Sequence, residues 1–405
     1  MKKLISAMAE VPDGEMEDEL LVQVEGLRTY ISTPTGMVRA VDGVDLNVRK
    51  GKVLGILGES GSGKSVMARS ILGLADNFPG VIEGRILFRD KGKVENLAHP
   101  LEETTLVELG SDGEICKISK DMKAWRKQIQ ETYRGIWGRK ISMIFQDPQK
   151  SLNPFWTVGE QLVETVENGT SANMPETIRK WQDVVKWLKK VRIKKADDVI
   201  EAYPHNLSGG MCQRVMIAMA LGGHPSLVIA DEPTTGLDAT VQAQIVNLLK
   251  SLQKRYGTTI IVISHDIGMI SRLADDIAVM YCGQIVEHGP RKRMVDPQVE
   301  QKHPYTKALL ESLLSVNCDP MRRMEGLRAI EKEVPDPKNP PPGCRFHPRC
   351  QVYQNWRTQE GDRGAGTRWL AQCPLKEPPL VKTAESSGIR CWHFYDEPDE
   401  ESSHV

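Results

Sequence analysis

The sequence lacks any uninterrupted apolar run approaching the roughly 20 residues that span a bilayer. Stretches such as TTIIVIS and SLVIAD are of strand length only. No spanning helix is expected, and the chain reads as soluble and cytosolic. It also lacks a charge excess: 53 Lys and Arg stand against 54 Asp and Glu, a net charge of −1. Nothing in that balance calls for nucleic acid. The opening MKKLISAMAEVPDGEMEDE has two lysines but no apolar core of signal-peptide length, and it turns acidic, so no targeting segment is read there. No internal repeat is found. Cysteine is sparse until the end: of 8 in the chain, Cys344, Cys350, Cys373 and Cys391 gather behind the proline-rich VPDPKNPPPG. In a cytosolic chain they read as free thiols or metal ligands rather than disulfides.

What is present is an ordinary globular composition, 40% hydrophobic and 26% charged over 405 residues. That length suits two or three domains, or one large α/β domain with additions. LLVQVEGLRTYI, VRAVDGVDLNV and KVLGILGES read as strands. The last runs through glycines into SVMARSILGLA, whose apolar residues recur at helical spacing. Helical patterns dominate about 150–220. Strands and helices then alternate through SLVIAD, ATVQAQIVNLLKSLQKRY, TTIIVISH and IAVMYCGQIVEHG. Such alternation predicts an α/β fold with an open, mainly parallel sheet and helices on both faces. An insertion at about 89–140 holds a hairpin with its turn at Gly110–Gly113, then a helix on which Met122, Trp125, Ile129, Tyr133, Ile136 and Trp137 share a face. That stripe is read as packing on its own domain.

GESGSGKS, from Gly58 to Ser65, has the pattern of a phosphate-binding loop between strand and helix. Gly58, Ser60, Gly61 and Gly63 let backbone N–H groups turn toward phosphate oxygens at a helix N-terminus. Lys64 then reaches the β- and γ-phosphates, and the Ser65 hydroxyl ligates Mg²⁺. Asp231 and Glu232 end the apolar run LVIADEP, where one acid can hold Mg²⁺ through water and the other can orient or deprotonate an attacking water. Alone, two acids ending a strand are as readily a helix cap; beside the phosphate loop they read as a catalytic pair. LSGGMCQR, Leu207 to Arg214, opens a second helix with Ser208, Gly209 and Gly210, another anion-gripping element.

With that string the sequence resembles the ATP-binding cassette (ABC) family, departing from its Leu-Ser-Gly-Gly-Gln pattern at Met211, as peptide importers do. The resemblance covers about 20–315 and implies an ABC-type nucleotide-binding domain with a helical subdomain. It also implies roles: Tyr30 stacking on adenine, Gln146 touching Mg²⁺ and the attacking water, Asp238 crossing a dimer interface, and His265 contacting the γ-phosphate. Two cassettes of the family pair head to tail, so each ATP lies between one phosphate loop and the other chain's Ser208-type element. SLNPFWTVGEQLVE, HPYTKALLESL and PPPGCRFHPRC narrow the resemblance to the ATPase subunits of oligopeptide and dipeptide importers. The expected partners are a second ATPase subunit, two permease subunits and an extracytoplasmic solute-binding protein. The expected place is the cytoplasmic face of the membrane, peripherally. The same role with oligosaccharides or nickel, or a soluble ABC ATPase outside transport, are the competing readings.

The domain organisation expected is a lead at 1–19, an ATPase domain at 20–290 and an extension at 291–405. The four extension cysteines form C-x5-C-x22-C-x17-C, without the paired knuckles of structural zinc sites. That spacing suits a [4Fe–4S] cluster, which the importer branch is understood to carry; Zn²⁺ and metal-free thiols are the alternatives. Such a centre would staple a core-poor extension. His347 is read as a packing or phosphate-facing residue, and Cys116, Cys212, Cys282 and Cys318 as structural.

Overall fold

A computed structural model describes residues 19–75, 77–109, 115–169, 177–316, 333–358, 365–384 and 387–395. The hairpin turn at Gly110–Gly113 and Cys318 lie outside the described residues. The opening strands are β1 (Leu20–Thr33) and β2 (Gly36–Arg49), followed by the wholly buried β3 (Val53–Leu57) and then α1 (Lys64–Ile71). Next come β4 (Pro79–Asp90), β5 (Lys93–Asn96), α2 (Leu101–Thr104), β6 (Thr105–Leu109), β7 (Ile115–Lys120), α3 (Met122–Tyr133) and β8 (Ile141–Ile144). A helical stretch holds α4 (Pro148–Ser151), α5 (Val158–Gly169), α6 (Thr177–Lys190), α7 (Ala196–Val199) and α8 (Gly209–Gly222). Alternation resumes with β9 (Leu227–Asp231), α9 (Ala239–Tyr256), β10 (Thr259–Ser264), α10 (Ile267–Leu273), β11 (Asp276–Tyr281) and β12 (Gln284–Pro290). The remainder carries α11 (Arg291–Val295), α12 (Pro304–Val316), α13 (Gln351–Thr358), β13 (Leu380–Ala384) and β14 (Ser387–Arg390).

Strands β8, β9, β10, β3 and β11 pair in parallel in that order. Their near-continuous apolar sequences are what a sheet covered on both faces demands. Successive residues feed opposite cores: Val53 and Leu57 join the cluster with α5, α8 and α9, while Leu54 and Ile56 join the one beneath β1, β2 and α1. Helices lie on both faces, as expected, but they are not the main cover of the second. The second face is covered chiefly by the antiparallel sheet β2-β1-β4-β5, with α1 and α3 packed in the same core. The alternation beyond residue 220 made helices on that face the natural expectation, whereas the cover comes from strands of the first hundred residues.

In the insertion, β6 and β7 pair antiparallel as a two-stranded sheet. Helix α3 starts at Asp121, whose side chain accepts from the amides of Lys123 and Ala124. It buries Trp125, Ile129 and Tyr133 in the body of the domain, and the Tyr133 hydroxyl donates to the Ile71 carbonyl at 2.7 Å. The stripe is therefore core, as its periodicity suggests.

The cysteine-bearing extension does not form a separate layer. β14 pairs antiparallel with β12 and carries β13, lengthening the main sheet at its edge. Cys344, Phe346, Cys350, Tyr353, Leu370, Cys373 and Trp392 belong to the same apolar cluster as Val279, Tyr281 and Tyr305. The picture of a core-poor appendage is corrected accordingly: its apolar residues are continuous with the main core.

Candidate functional site

β3 ends against the loop Gly58–Ser65, and the glycines there are dictated by space. A Cβ on Gly58 would stand 2.2 Å from the Met280 carbonyl oxygen. One on Gly63 would stand 2.0 Å from that of Ala40, at a φ of +103° that side chains resist. Ser60 and Gly61 are exposed at the mouth of the loop. Lys64 is buried, and its Nζ donates to the carbonyls of Gly58 (2.7 Å) and Glu59 (2.8 Å) and lies 3.3 Å from Ser62 Oγ. Burial pulls its ammonium below the usual lysine range against the nearby carboxylates of Glu232, Asp231 and Glu59. A desolvated cation folded over its own loop is ready to exchange those carbonyls for anionic oxygens.

Parallel pairing of β9 with β10 brings two sequence-distant pieces to one edge. The Ser65 hydroxyl donates to Asp231 Oδ1 at 2.9 Å. Asp231 is buried, and desolvation pushes its carboxyl up. A buried carboxylate beside a serine hydroxyl is a donor set suited to a hard divalent cation. Glu232 follows with a φ of +44°, a conformation that disfavours a non-glycine residue by about 1–2 kcal/mol. It is held there by its amide, which donates to the Ile263 carbonyl at 2.9 Å.

The Glu232 carboxylate is the meeting point of the site. His265 Nδ1 lies 3.1 Å from Oε1, Thr235 Oγ1 donates to Oε2 at 2.8 Å, and Gln146 Nε2 donates to Oε2 at 3.3 Å. Burial alone would raise this carboxyl, but the bonds from His265 and Thr235 and the charges of His265 and Lys64 together hold it below its ordinary value. Glu232, Gln146 and His265 are thus brought together, as the resemblance to the family implies. Thr235 was missed; its only signal is its place three residues after the acid, in DEPTTG.

Two other expected elements stand apart from this cluster. Ser208 caps α8, its exposed hydroxyl accepting from the Met211 amide at 3.4 Å, and Gly209 and Gly210 form the first turn. α8 packs on α4, α5, α6, α9 and β8. Asp238 is exposed and caps α9, accepting from the amides of Thr240 and Val241.

Tyr30 is a correction. Its ring is only 4% exposed, and its hydroxyl donates to Asp42 Oδ1 at 2.8 Å. Asp42 is in turn paired with Arg28 and with the buried Arg345. A ring enclosed on both faces has none to offer a base, so Tyr30 is a core residue of β1.

The four extension cysteines are all buried and line one small cavity with His303, Phe346, His347, Leu370 and His393. Burial pushes the Cys344 thiol up to about 12, and burial with repulsion from neighbouring cysteines also raises Cys373 and Cys391. Burial also raises Cys350. Among the described residues, however, no three His, Cys, Asp or Glu side chains gather closely enough to hold a metal ion. His347 points its Nδ1 to the Cys344 carbonyl at 2.8 Å and packs on Tyr353, a packing role. Cys212 and Cys282 are buried and Cys116 is exposed.

Comparison with known proteins fits this geometry. Residues 41–235 match the family described as ABC transporter, and residues 286–355 match the one described as oligopeptide/dipeptide transporter, C-terminal region. The chain is 37% identical over 382 residues to the oligopeptide transport ATP-binding protein AppD of Bacillus subtilis (strain 168), covering 94% of this chain and 99% of the relative. It is 40% identical over 376 residues to the dipeptide transport ATP-binding protein DppD of the same organism, covering 92% and 95%. Among solved structures it is similar to the dimeric post-hydrolysis state of the ATP-binding cassette MJ0796 bound to ADP and Pi. That likeness has a TM-score of 0.51 at 24% identity over 67% of this chain and 98% of the other, and it speaks to fold alone.

Proposed function

This chain belongs to the ATP-binding cassette transporter family, in its oligopeptide and dipeptide importer branch, and we propose how its residues do the work of that branch. It is the ATP-hydrolysing subunit of a peptide importer. The observation that carries the proposed mechanism is the Glu232 carboxylate, kept anionic among His265, Thr235 and Gln146 and one residue from the Asp231–Ser65 pair.

ATP would lie along Gly58–Ser65, with Ser60 and the amides of Gly61 and Gly63 facing its phosphates and Lys64 exchanging carbonyls for phosphate oxygens. Ser65, Asp231 and Gln146 are the residues that would hold Mg²⁺, which when bound neutralises charge on the phosphates. Glu232 would orient and deprotonate the attacking water. Its lowered affinity for protons leaves it ionised at neutral pH, and His265 and Gln146 fix its direction. Ser208, Gly209, Gly210 and Asp238, which make no hydrogen bond to that cluster among the described residues, would complete the site of a second ATPase subunit.

The branch implies permeases in the membrane. We assign two of them, together with a solute-binding protein, and a peripheral position on the cytoplasmic face. Among the described residues no helix is long and apolar enough to cross a membrane. Exposed Phe145 (40%), Phe155 (84%) and Trp156 (44%), on the segment beginning beside Gln146, support docking there. The division into an ATPase domain near 20–290, with its helical part and insertion, and an extension beyond remains part of the proposal.

Cys344, Cys350, Cys373 and Cys391 are proposed to hold a [4Fe–4S] cluster, with Zn²⁺ the competing occupant. The support is the donor set, four thiols buried around one cavity. Among the described residues the thiols do not gather closely enough to hold a metal ion, so either occupant would have to draw them together. When bound, a cluster supplies positive charge that reverses the upward push on these thiols.

The mechanism is tested by Glu232→Gln in the assembled importer. ATP binding is expected to persist while turnover falls by about 10²- to 10⁴-fold, the range of a general base. Turnover within tenfold of wild type would remove Glu232 from the reaction.

A further inference from the structure

The cysteine loop returns two arginines to the nucleotide-binding half of the molecule. Arg345 reaches Asp42 and donates to the Cys282 carbonyl. Arg349 goes further: its guanidinium pairs with both carboxylate oxygens of Glu59, at 2.7 and 3.1 Å, and also lies 3.3 Å from the Tyr281 hydroxyl. The Arg349 side chain is 3% exposed and that of Glu59 26%. Glu59 is the second residue of the phosphate loop.

Its backbone is held as well. Its amide donates to the Tyr305 hydroxyl at 3.0 Å, and its carbonyl accepts from Lys64 Nζ at 2.8 Å. A loop built to receive polyphosphate thus contains a carboxylate of the wrong sign. Left unpaired, it would repel the incoming phosphates in a poorly screened setting. A bidentate guanidinium is the geometry that both neutralises a carboxylate and fixes its plane.

We propose that Arg349 is a positioning residue of the nucleotide site, pairing with Glu59 so that the phosphate loop presents no free negative charge to ATP. The inference rests on the ATPase reading of the same loop. The competing reading is that Arg349 only ties the extension to the body.

Full-length Arg349→Met is titrated with a fluorescent ATP analogue and Mg²⁺ beside wild type, with melting temperature as the check on folding. Binding is expected to weaken about tenfold, as one added like charge nearby would cause. In the assembled importer, KM for ATP rises while kcat at saturating ATP holds within about twofold. Glu59→Gln combined with Arg349→Met removes both charges while Tyr305 still anchors the loop. That variant is expected to recover affinity to within about threefold of wild type. Equal affinity of Arg349→Met and wild type overturns the inference, as does a double variant no better than the single. If Arg349→Met does not fold, Arg349→Lys is read instead. It keeps charge but loses the fork, and is expected to bind about threefold more weakly; parity with wild type overturns the inference. A wild-type chain with no affinity for ATP overturns the ATPase reading and this inference together.

Discussion

Glu287→Gln is expected to stabilise this protein at neutral and alkaline pH and to have much less effect in acid. Glu287 lies in β12 between β11 and β14 and is 1% exposed. Its Oε2 accepts the His303 amide at 2.9 Å, and burial pushes its carboxyl from 4.5 up to about 6. A carboxyl raised by folding contributes its stability below the unfolded value of 4.5 and loses it as pH climbs through about 6. A shift of this size corresponds to about 2 kcal/mol above that window. Glutamine accepts the same amide bond without a charge to bury. The variant should therefore gain about 2 kcal/mol at pH 8 and less than half of that at pH 5. For a chain of this size that is roughly 2–4 °C in Tm at the higher pH. Thermal melts followed by circular dichroism across pH 5–8 read the effect. A gain that does not vary with pH, or a loss at pH 8, would refute the argument that burial of the Glu287 charge outweighs the bonds and charges around it.

Three further outcomes are expected. Protein purified without oxygen should be brown, with iron and sulfide by assay, and Cys373→Ser should lose the colour; colourless protein with one zinc per chain would refute the cluster. In nucleotide-free melts, Gly61→Ala should cost about 1–2 kcal/mol for its φ of +78° in open space. Gly63→Ala should cost more, because its Cβ also meets the Ala40 carbonyl; equal losses would count against that contact. Ser208→Arg should leave ATP binding by the isolated chain within about twofold of wild type, because the Ser208 hydroxyl is bonded within its own helix cap. The same change should abolish turnover in the assembled importer, and full turnover there would refute a role for Ser208 across an interface.

The polar cluster around Glu232 was legible because its members follow short apolar strands. Parallel pairing of β3, β8, β9 and β10 then delivers Lys64, Gln146, Glu232 and His265 to one edge. Tyr30 was not legible, for a reason in its own strand. The pairing of β1 with β2 shifts register between Thr29 and Tyr30, so both side chains are buried in succession and the alternation that tells inside from outside is lost. The cover over the second sheet face was hidden differently, since antiparallel strands do not declare in sequence which layer they will roof. The Arg349–Glu59 pair joins residues 290 apart, a separation that no local pattern reports.

That last pair changes what the extension is for. Read as sequence, the four cysteines are a device for holding a small appendage together. In the structure the loop between the first two of them, Cys344 and Cys350, buries Phe346 against Tyr281 and Tyr305. Tyr305 accepts the Glu59 amide, and the His303 just before it rests on Glu287. The extension's arginines thus act on the body of the molecule. Arg345 compensates Asp42 in β2, and Arg349 compensates Glu59 in the phosphate loop. Removing either arginine leaves a carboxylate without its main cation, a loss expected to be larger at the buried Asp42 than at the partly exposed Glu59. A metal or cluster held in the thiol cavity would brace the loop that carries both arginines, and would bear on ATP affinity through Arg349 and Glu59.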